Sequence, residues 1–162
     1  MRTAVISDGG WGTALALQLL GNGHETVLWG PFEDYVRDMR RRRENPRFLP
    51  GVALPPELRL TADPGEALAG RDLVILASPT SYMRSVLEVL RTADPPADAL
   101  YVNVAKGIEV DTLKRMSEVV AEVLGGVNCA VLSGPSHAEE VARGVPTAVV
   151  SASADRGAAV AV

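Results

Sequence analysis

The sequence predicts an α/β fold in which helices cover both faces of a doubly wound, mostly parallel sheet. Short apolar runs alternate with helical patterns from one end of the 162-residue chain to the other. Several of these runs are continuous rather than alternating, which is typical of strands buried on both faces. The first run leads through a glycine-rich turn into a helix-forming segment, VISDGGWGTALA at residues 5–16. These patterns favour parallel strands joined by right-handed helical crossovers.

Six apolar runs are predicted to form strands, because each is short and mostly continuous. They are Thr3–Ile6, Thr26–Trp29, Leu73–Ala77, Leu100–Ala105, Ala130–Leu132 and Ala148–Val150. Five segments carry helical patterns: Trp11–Leu20, Phe32–Arg43, Ser81–Arg91, Thr112–Leu124 and Ser136–Arg143. The first helix is expected to stop at the Gly-Asn-Gly sequence of residues 21–23. Residues 152–162 resemble the start of a further helix that lacks a packing partner.

The segment Glu44–Pro64 has a different composition from the rest of the chain. It contains five prolines and few helix formers, so we predict a loop with one short strand around Leu58–Leu60. Loops of this length are uncommon in compact domains and often carry function. We expect residues 1–162 to form one domain that includes this loop.

The composition predicts a soluble globular protein. Apolar residues make up 47% of the chain and charged residues 22%, and the net charge of −4 argues against general nucleic-acid binding. The single cysteine, Cys129, excludes an internal disulfide framework and fits a reducing compartment. No apolar stretch approaches the roughly 18 residues of a membrane span, and no signal peptide is recognised. We expect a cytoplasmic protein without a membrane span or a metal site.

The glycine-rich turn matches most of a dinucleotide-binding turn, in which the cofactor pyrophosphate lies at a helix N-terminus. Gly9, Gly10 and Gly12 meet its later requirements, but Ser7 stands where the first glycine is expected. Asp8 places a carboxylate near the expected phosphate oxygens, which is unfavourable unless the side chain points away. Because serine adopts most turn conformations, we expect weakened or shifted binding rather than none. The alternative is a glycine-rich turn that serves packing alone.

An acid at the end of the second strand usually holds the cofactor ribose. Here that strand ends in Leu28-Trp29-Gly30-Pro31, with neither an acid nor an arginine at its tip. The arginine run Arg40–Arg43 follows. It is interpreted either as a solvated helix face or as a set of cations that helps to bind the 2′-phosphate of NADP. The sequence therefore does not decide between NAD and NADP.

Three further stretches contain candidate site residues. VNVAKGIE at residues 102–109 places Lys106 just after a buried strand, at the sheet edge where open parallel sheets bind ligands. In VLSGPSHAEEVARGVPTAVV, residues 131–150, a strand and a Ser-Gly-Pro turn lead to a helix that we predict is capped by Ser136 with Glu139 as capping-box partner. ENPRFLPG, residues 44–51, contains one aromatic residue, Phe48, which lies between Pro46 and Pro50.

Together these motifs resemble the N-terminal domain of bacterial-type NAD(P)-dependent glycerol-3-phosphate dehydrogenases, a Rossmann-like domain. GGWGTALA, NGHETVLWG, ENPRFLPG, AKGIE and SGPSHAEEVARGVPTAVV occur in the family's order and spacing, and the similarity covers essentially the whole chain.

The resemblance implies reversible hydride transfer between dihydroxyacetone phosphate and sn-glycerol 3-phosphate, with NAD or NADP as cofactor, for phospholipid precursor synthesis. It implies cofactor contacts for the turn Gly9–Gly12, including Gly10 and Trp11 on the pyrophosphate, and for Phe48 and Ala138. It implies that Lys106 touches both cofactor and substrate, and that Gly134 and Ser136 touch the substrate. A homodimer of the full-length parent is compatible with it.

The chain departs from the family pattern at three places. Glycine, often followed by alanine, is usual where Ser7 and Asp8 stand. A basic or histidine residue is common near Pro31 or Phe32. The family's helical C-terminal domain, which supplies the general acid/base lysine and most phosphate contacts, is absent from these 162 residues. We therefore expect the isolated chain to be inactive.

Two other functions remain open at this point. One is another NAD(P)-dependent dehydrogenase of hydroxy compounds with the same architecture, against which the AKGIE and SGPSHAEE stretches argue. The other is a dinucleotide-binding module without catalysis, which Ser7, Asp8 and the missing domain favour for the isolated chain.

Overall fold

The computed structural model describes all 162 residues and contains nine strands and seven helices. The strands are β1 Arg2–Ile6, β2 Glu25–Trp29, β3 Glu44–Asn45, β4 Leu49–Ala53, β5 Arg59–Thr61, β6 Leu73–Leu76, β7 Leu100–Asn103, β8 Asn128–Ser133 and β9 Val150–Ala152. The helices are α1 Gly10–Gly21, α2 Glu33–Arg42, α3 Pro64–Leu68, α4 Thr80–Arg91, α5 Met116–Leu124, α6 Ala138–Ala142 and α7 Arg156–Ala161. None of the helices has the length and apolar character needed to cross a bilayer.

Seven strands form the main sheet in the order β5-β2-β1-β6-β7-β8-β9. The first six run parallel to one another, and only β9, at the edge, is antiparallel to its neighbour β8. The order runs outward in both directions from β1, which pairs with β2 on one side and β6 on the other. The predicted doubly wound, mostly parallel sheet is confirmed.

The hydrophobic core lies on both faces of this sheet. In β1, Ala4 and Ile6 join the cluster that contains the buried residues of α3, α4 and α5, whereas Val5 joins the cluster that contains Ala16 of α1 and the buried residues of α2 and α7. Successive side chains of a strand point to opposite faces, so every second residue serves one layer of helices. This double burial explains why the central strands read as continuous apolar runs.

The predicted loop 44–64 is the largest error in the sequence-based assignment. It contains the antiparallel hairpin β3–β4 as well as β5, which overlaps the predicted short strand at Leu58–Leu60. It ends in helix α3, whose first turn is capped by Asp63 through hydrogen bonds from the backbone of Gly65 and Glu66. Proline is tolerated in edge strands and at the first helical position, so the proline count did not exclude either element.

Several further elements differ from their predicted bounds, most of them by one or two residues. Helix α5 begins at Met116 rather than Thr112, because residues 109–114 form a turn in which Leu113 has a φ of 56°. The last strand lies at Val150–Ala152 rather than Ala148–Val150 and is antiparallel. The predicted final helix is present as α7, and it packs through the buried Ala158, contrary to the expectation that it lacks a partner.

The buried amide of Asn45 joins the hairpin to the glycine-rich turn. Its Nδ2 donates to the backbone oxygen of Asp8 at 2.7 Å and to Oγ1 of Thr13 at 2.8 Å. Its Oδ1 accepts from the hydroxyl of Tyr35 at 2.6 Å and from the backbone nitrogen of Phe48 at 3.2 Å. One fully buried side chain thereby fixes the relative positions of the turn, helix α1, helix α2 and the hairpin.

The loop after β7 is held to α4 by an ion pair. Arg84 donates two hydrogen bonds to the carboxylate of Glu109, at 2.8 and 2.9 Å, and also contacts Glu122. The bidentate arrangement is the stronger geometry for such a pair. The guanidinium of Arg84 lowers the pKa of Glu109 from its ordinary 4.5 to about 2, and a hydrogen bond from Thr112 acts in the same direction.

Replacing Asn45 by alanine should lower the free energy of unfolding by about 2–4 kcal/mol, because it leaves several buried polar groups without partners. Urea denaturation followed by circular dichroism measures the change. Asn22→Ala is the matched control, since Asn22 is exposed at the end of α1, and its effect should stay within about 0.5 kcal/mol. Equal effects of the two substitutions would contradict this role for Asn45.

The carboxyl carbon of Glu109, followed by NMR, should titrate with a pKa of about 2. Because the folded-state pKa is depressed, the ion pair stabilises the fold above the ordinary pKa of 4.5, and this stabilisation is lost as pH falls from 4.5 toward 2. Arg84→Gln should return the pKa toward 4.5, whereas Arg91→Gln, at the exposed end of the same helix, should not. A wild-type pKa near 4.5 would show that the pair does not form.

Candidate functional site

A groove of about 350 Å³ lies at the carboxyl edge of the parallel strands, where β1, β6 and β7 end. Its lining includes Trp11, Ser78, Lys106, Ser136 and Ala138. Four of these residues were predicted from the sequence as site residues, and they come from three separate segments: the start of α1, the loop after β7, and the turn that leads into α6. The carboxyl edge is where open α/β sheets bind ligands, so the position of the groove agrees with the expected site.

Two glycines of the turn permit close approaches that a side chain would block. A Cβ at Gly12 would collide with the backbone oxygen of Ser7, so glycine lets α1 pack directly against the end of β1. A Cβ at Gly10 would lie 2.5 Å from the backbone oxygen of Phe48 and 3.6 Å from the Cβ of Ala138. Gly10 is therefore the point at which α1, the hairpin and α6 meet.

Ser7 adopts a backbone conformation that is unusual for serine. It has a φ of 103°, in the left-handed region that favours glycine, so this position of the turn is strained, although a serine occupies it. Its backbone nitrogen still donates to the oxygen of Trp29 at 3.0 Å, which extends the pairing of β1 with β2 by one residue. This conformation costs about 1–3 kcal/mol in backbone strain.

The N-terminus of α1 is open to an anion. Gly9 is its N-cap residue, no side chain caps it, and its first turn contains no acidic residue. The first amides of a helix have no partner inside the helix and carry a partial positive charge. This end of α1 therefore has the features of a phosphate-binding helix terminus.

The carboxyl group of Asp8 lies over Gly30, directly after β2, in the space that a side chain at Gly30 would fill. Asp8 is only 6% exposed, and its Oδ2 is buried without a hydrogen-bond partner. Burial raises the pKa of Asp8, while its own backbone N–H and the positive charge of Arg47 oppose the rise.

Lys106 is exposed in the groove and forms neither an ion pair nor a hydrogen bond. The preceding turn is stabilised by Asn103, whose side-chain amide donates to and accepts from the backbone of Ala105 at 3.3 Å. Lys106 thus presents a positive charge to whatever occupies the groove.

The segment after β8 differs from its predicted capping arrangement. Helix α6 begins at Ala138 with His137 as its N-cap residue, and no side chain caps it. Ser136 instead donates to the backbone oxygen of Gly134 at 3.3 Å, so its hydroxyl closes its own turn and lies in the groove. Gly134 lies outside the groove lining, and a Cβ there would come within 2.6 Å of the oxygen of Ala148. Gly134 is required for packing.

Phe48 lies on the hairpin beside the turn and is 40% exposed. Its ring makes an edge contact with Tyr35, with centroids 6.0 Å apart, and the guanidinium of Arg47 lies 5.0 Å from its centre. Its backbone oxygen faces Gly10, so the hairpin borders the N-terminal end of α1.

The arginine run of α2 has structural partners. Arg40 donates to the oxygen of Leu60, Arg41 and Arg42 pair with Asp38, and Arg43 donates to backbone oxygens of the segment 54–58. The reading as a solvated helix face with local ion pairs is therefore favoured over a role in binding a 2′-phosphate.

Sequence reasoning missed two polar residues of this region, Ser78 and Asn45. Ser78 is 2% exposed, lines the groove, and its hydroxyl has no hydrogen-bond partner. Its position just after β6, a strand next to β1, was a usable signal because that edge binds ligands. Asn45 gave no such signal, since the acceptors of its Nδ2, on Asp8 and Thr13, lie 37 and 32 residues away along the chain.

Comparisons with known proteins agree with this geometry. The model of the family described as NAD-dependent glycerol-3-phosphate dehydrogenase N-terminus matches residues 2–159. A glycerol-3-phosphate dehydrogenase [NAD(P)+] of Syntrophomonas wolfei is 46% identical over 94% of this chain and 45% of its own length. One from Chlorobium phaeobacteroides is 44% identical over 94% of this chain and 46% of its own length.

A solved structure shares both the fold and part of the sequence. The crystal structure of glycerol-3-phosphate dehydrogenase from Coxiella burnetii superimposes with a TM-score of 0.89 at 34% identity, over 96% of this chain and 47% of that one. The chain spans about half the length of the curated relatives it matches. The resemblance found in the sequence is confirmed, and the chain belongs to the family of NAD-dependent glycerol-3-phosphate dehydrogenase N-terminal domains.

Proposed function

We propose that this chain is the cofactor-binding part of an NAD(P)-dependent glycerol-3-phosphate dehydrogenase. The reaction is hydride transfer between the nicotinamide cofactor and dihydroxyacetone phosphate or sn-glycerol 3-phosphate, which supplies a phospholipid precursor. The observation that carries the proposal is the groove that brings together Trp11, Lys106, Ser136 and Ala138 at the carboxyl edge of the sheet.

The residues of this edge fit a dinucleotide. The uncapped N-terminus of α1 suits a pyrophosphate, because its amides are free to donate and carry partial positive charge. Gly9, Gly10, Trp11 and Gly12 would hold that group, and Phe48 and Ala138 would border it. The unpartnered hydroxyl of Ser78 is a further polar contact available to a ligand in the groove.

Lys106 would contact both the cofactor and the substrate. Its ammonium group faces the groove without a protein carboxylate to neutralise it. A fixed positive charge stabilises negative charge that develops on a ketone oxygen, or that a phosphate already carries. The bound reduced nicotinamide supplies the hydride. Gly134 and Ser136 would complete the substrate contacts, Ser136 through its hydroxyl in the groove and Gly134 by shaping the turn.

We also propose that the general acid/base lysine lies in the half of the relatives that this chain does not cover, as the resemblance implies. General acid catalysis contributes about 10²–10⁴-fold, and loss of closure over the substrate adds to that deficit. We further propose a cytoplasmic location, which the single half-buried Cys129 supports. The net charge of −4 supports the proposal that the protein has no nucleic-acid partner. For the full-length parent we propose a homodimer.

Ser7→Gly should raise the free energy of unfolding by about 1 kcal/mol and tighten NAD⁺ binding a few fold, because glycine adopts a φ of 103° without strain. Urea denaturation and calorimetry measure the two effects. Ser7→Ala is the matched control, since alanine removes the hydroxyl but keeps the strain. If Ser7→Ala improves the protein as much as Ser7→Gly, the hydroxyl and not the backbone limits the turn.

The 162-residue chain alone should show only background oxidation of NADH or NADPH with dihydroxyacetone phosphate. Joining it to the C-terminal half of the Syntrophomonas wolfei relative should restore turnover. In that chimera Lys106→Ala should reduce kcat about 10²–10³-fold, whereas Lys114→Ala, which removes a half-buried lysine paired with Glu122, should not. Lys106-dependent turnover by the chain alone would show that it carries its own proton donor.

A further inference from the structure

The most unusual polar group of the molecule is the carboxylate of Asp8. Asp8 is only 6% exposed, yet its Oδ2 has no hydrogen-bond partner. A buried polar atom without a partner is uncommon in proteins and suggests a missing ligand. The two other such atoms belong to Ser78 and Ser151, which are neutral hydroxyls, so Asp8 is the one case that involves a carboxylate.

The location of this carboxylate is informative. Gly30 is the first residue after β2, and its nitrogen donates to the oxygen of Thr61 at 3.0 Å. In dinucleotide folds an acidic side chain at the end of this strand binds the adenosine ribose hydroxyls. Here the strand is followed by Gly30, Pro31 and Phe32, and none of them offers an acid. The carboxylate of Asp8, which comes from the glycine-rich turn, fills the space of the absent side chain at Gly30.

We propose that Asp8 binds the ribose hydroxyls of the adenosine half of the cofactor and makes this chain selective for NAD over NADP. The inference rests on the proposed function, because it requires a dinucleotide with its pyrophosphate at α1. It adds a residue to the site and assigns a cofactor preference that the sequence alone left open.

Hydrogen-bond chemistry explains the preference. The two hydroxyls of an unmodified ribose are donors, and a carboxylate accepts from both, which would satisfy the orphaned Oδ2. A 2′-phosphate replaces one donor with a group that carries negative charge and only acceptors. Placing it beside a buried carboxylate is unfavourable, since like charges repel strongly where water is excluded.

The surrounding cations do not reverse this preference. The arginines of α2 and its C-terminal end already have partners in the protein. Arg40 donates to the oxygen of Leu60, and Arg41 and Arg42 pair with Asp38. Arg43 donates to backbone oxygens of residues 54–58. Burial raises the pKa of Asp8, and Arg47 is the cation whose positive charge opposes that rise. The guanidinium of Arg47 also lies over the ring of Phe48, at 5.0 Å.

The test is calorimetric titration of the 162-residue chain with NAD⁺ and with NADP⁺. The wild type should bind NAD⁺ at least about 30-fold more tightly, and Asp8→Asn should weaken NAD⁺ binding about 10–100-fold without weakening NADP⁺ binding. Asp98→Asn is the matched control: Asp98 is exposed just before β7, at the opposite edge of the sheet, and its variant should keep the wild-type ratio.

A second measurement requires no variant and therefore does not depend on its folding. ADP-ribose should bind the wild type in preference to 2′-phospho-ADP-ribose by a similar factor, since only the adenosine end differs. Equal binding of the two members of either pair overturns the inference, as does an Asp8→Asn variant that loses both cofactors alike. Tighter NADP⁺ binding, as expected if Arg47 receives the 2′-phosphate, also overturns it. Failure of the folded wild type to bind any of these ligands instead overturns the proposed function.

Discussion

The hydrogen bonds of the Asn45 amide hold together the pieces of chain that form the carboxyl-edge site. The hairpin that carries Phe48 is distant in sequence from Asp8 and the start of α1, and this one buried side chain bonds to all of them. Buried amides are tolerated only when their donors and acceptors are satisfied. Satisfying Asn45 therefore requires the turn and the hairpin to take up the geometry that a dinucleotide site needs.

Within that geometry the glycine-rich turn combines strain with close packing. Ser7 accepts a left-handed φ, and Gly12 lets α1 lie directly on the backbone oxygen of Ser7. The next residue, Asp8, sends its carboxylate to the end of β2, where Gly30 leaves room for it. Two departures from the usual glycine motif thus have different consequences: Ser7 affects the energy of the turn, whereas Asp8 affects the chemistry of the neighbouring subsite.

Much of the fold was predictable because the central strands are buried on both faces, so their sequences are continuous apolar runs. The strands β1 and β2 differ from their predicted bounds by only one residue each. The hairpin was missed because Pro46 and Pro50 indicate a loop, although Asp63-Pro64 carried a readable signal for the start of α3. For the site, Lys106 and Trp11 were predicted from motifs and lie in one groove. The place of Asp8 was not predictable, because it depends on the φ of Ser7 and on the empty space above Gly30.

The most direct test of a dinucleotide across this edge is an NMR titration of the isotope-labelled chain with NAD⁺. The account predicts that the largest amide shifts fall in the turn of residues 7–12, at Gly30 after β2, and around Ser78 and Lys106, because these segments border the proposed pyrophosphate, ribose and nicotinamide positions. Shifts concentrated at the opposite edge of the sheet, where the strands begin, or a spectrum that saturating NAD⁺ leaves unchanged, would contradict it.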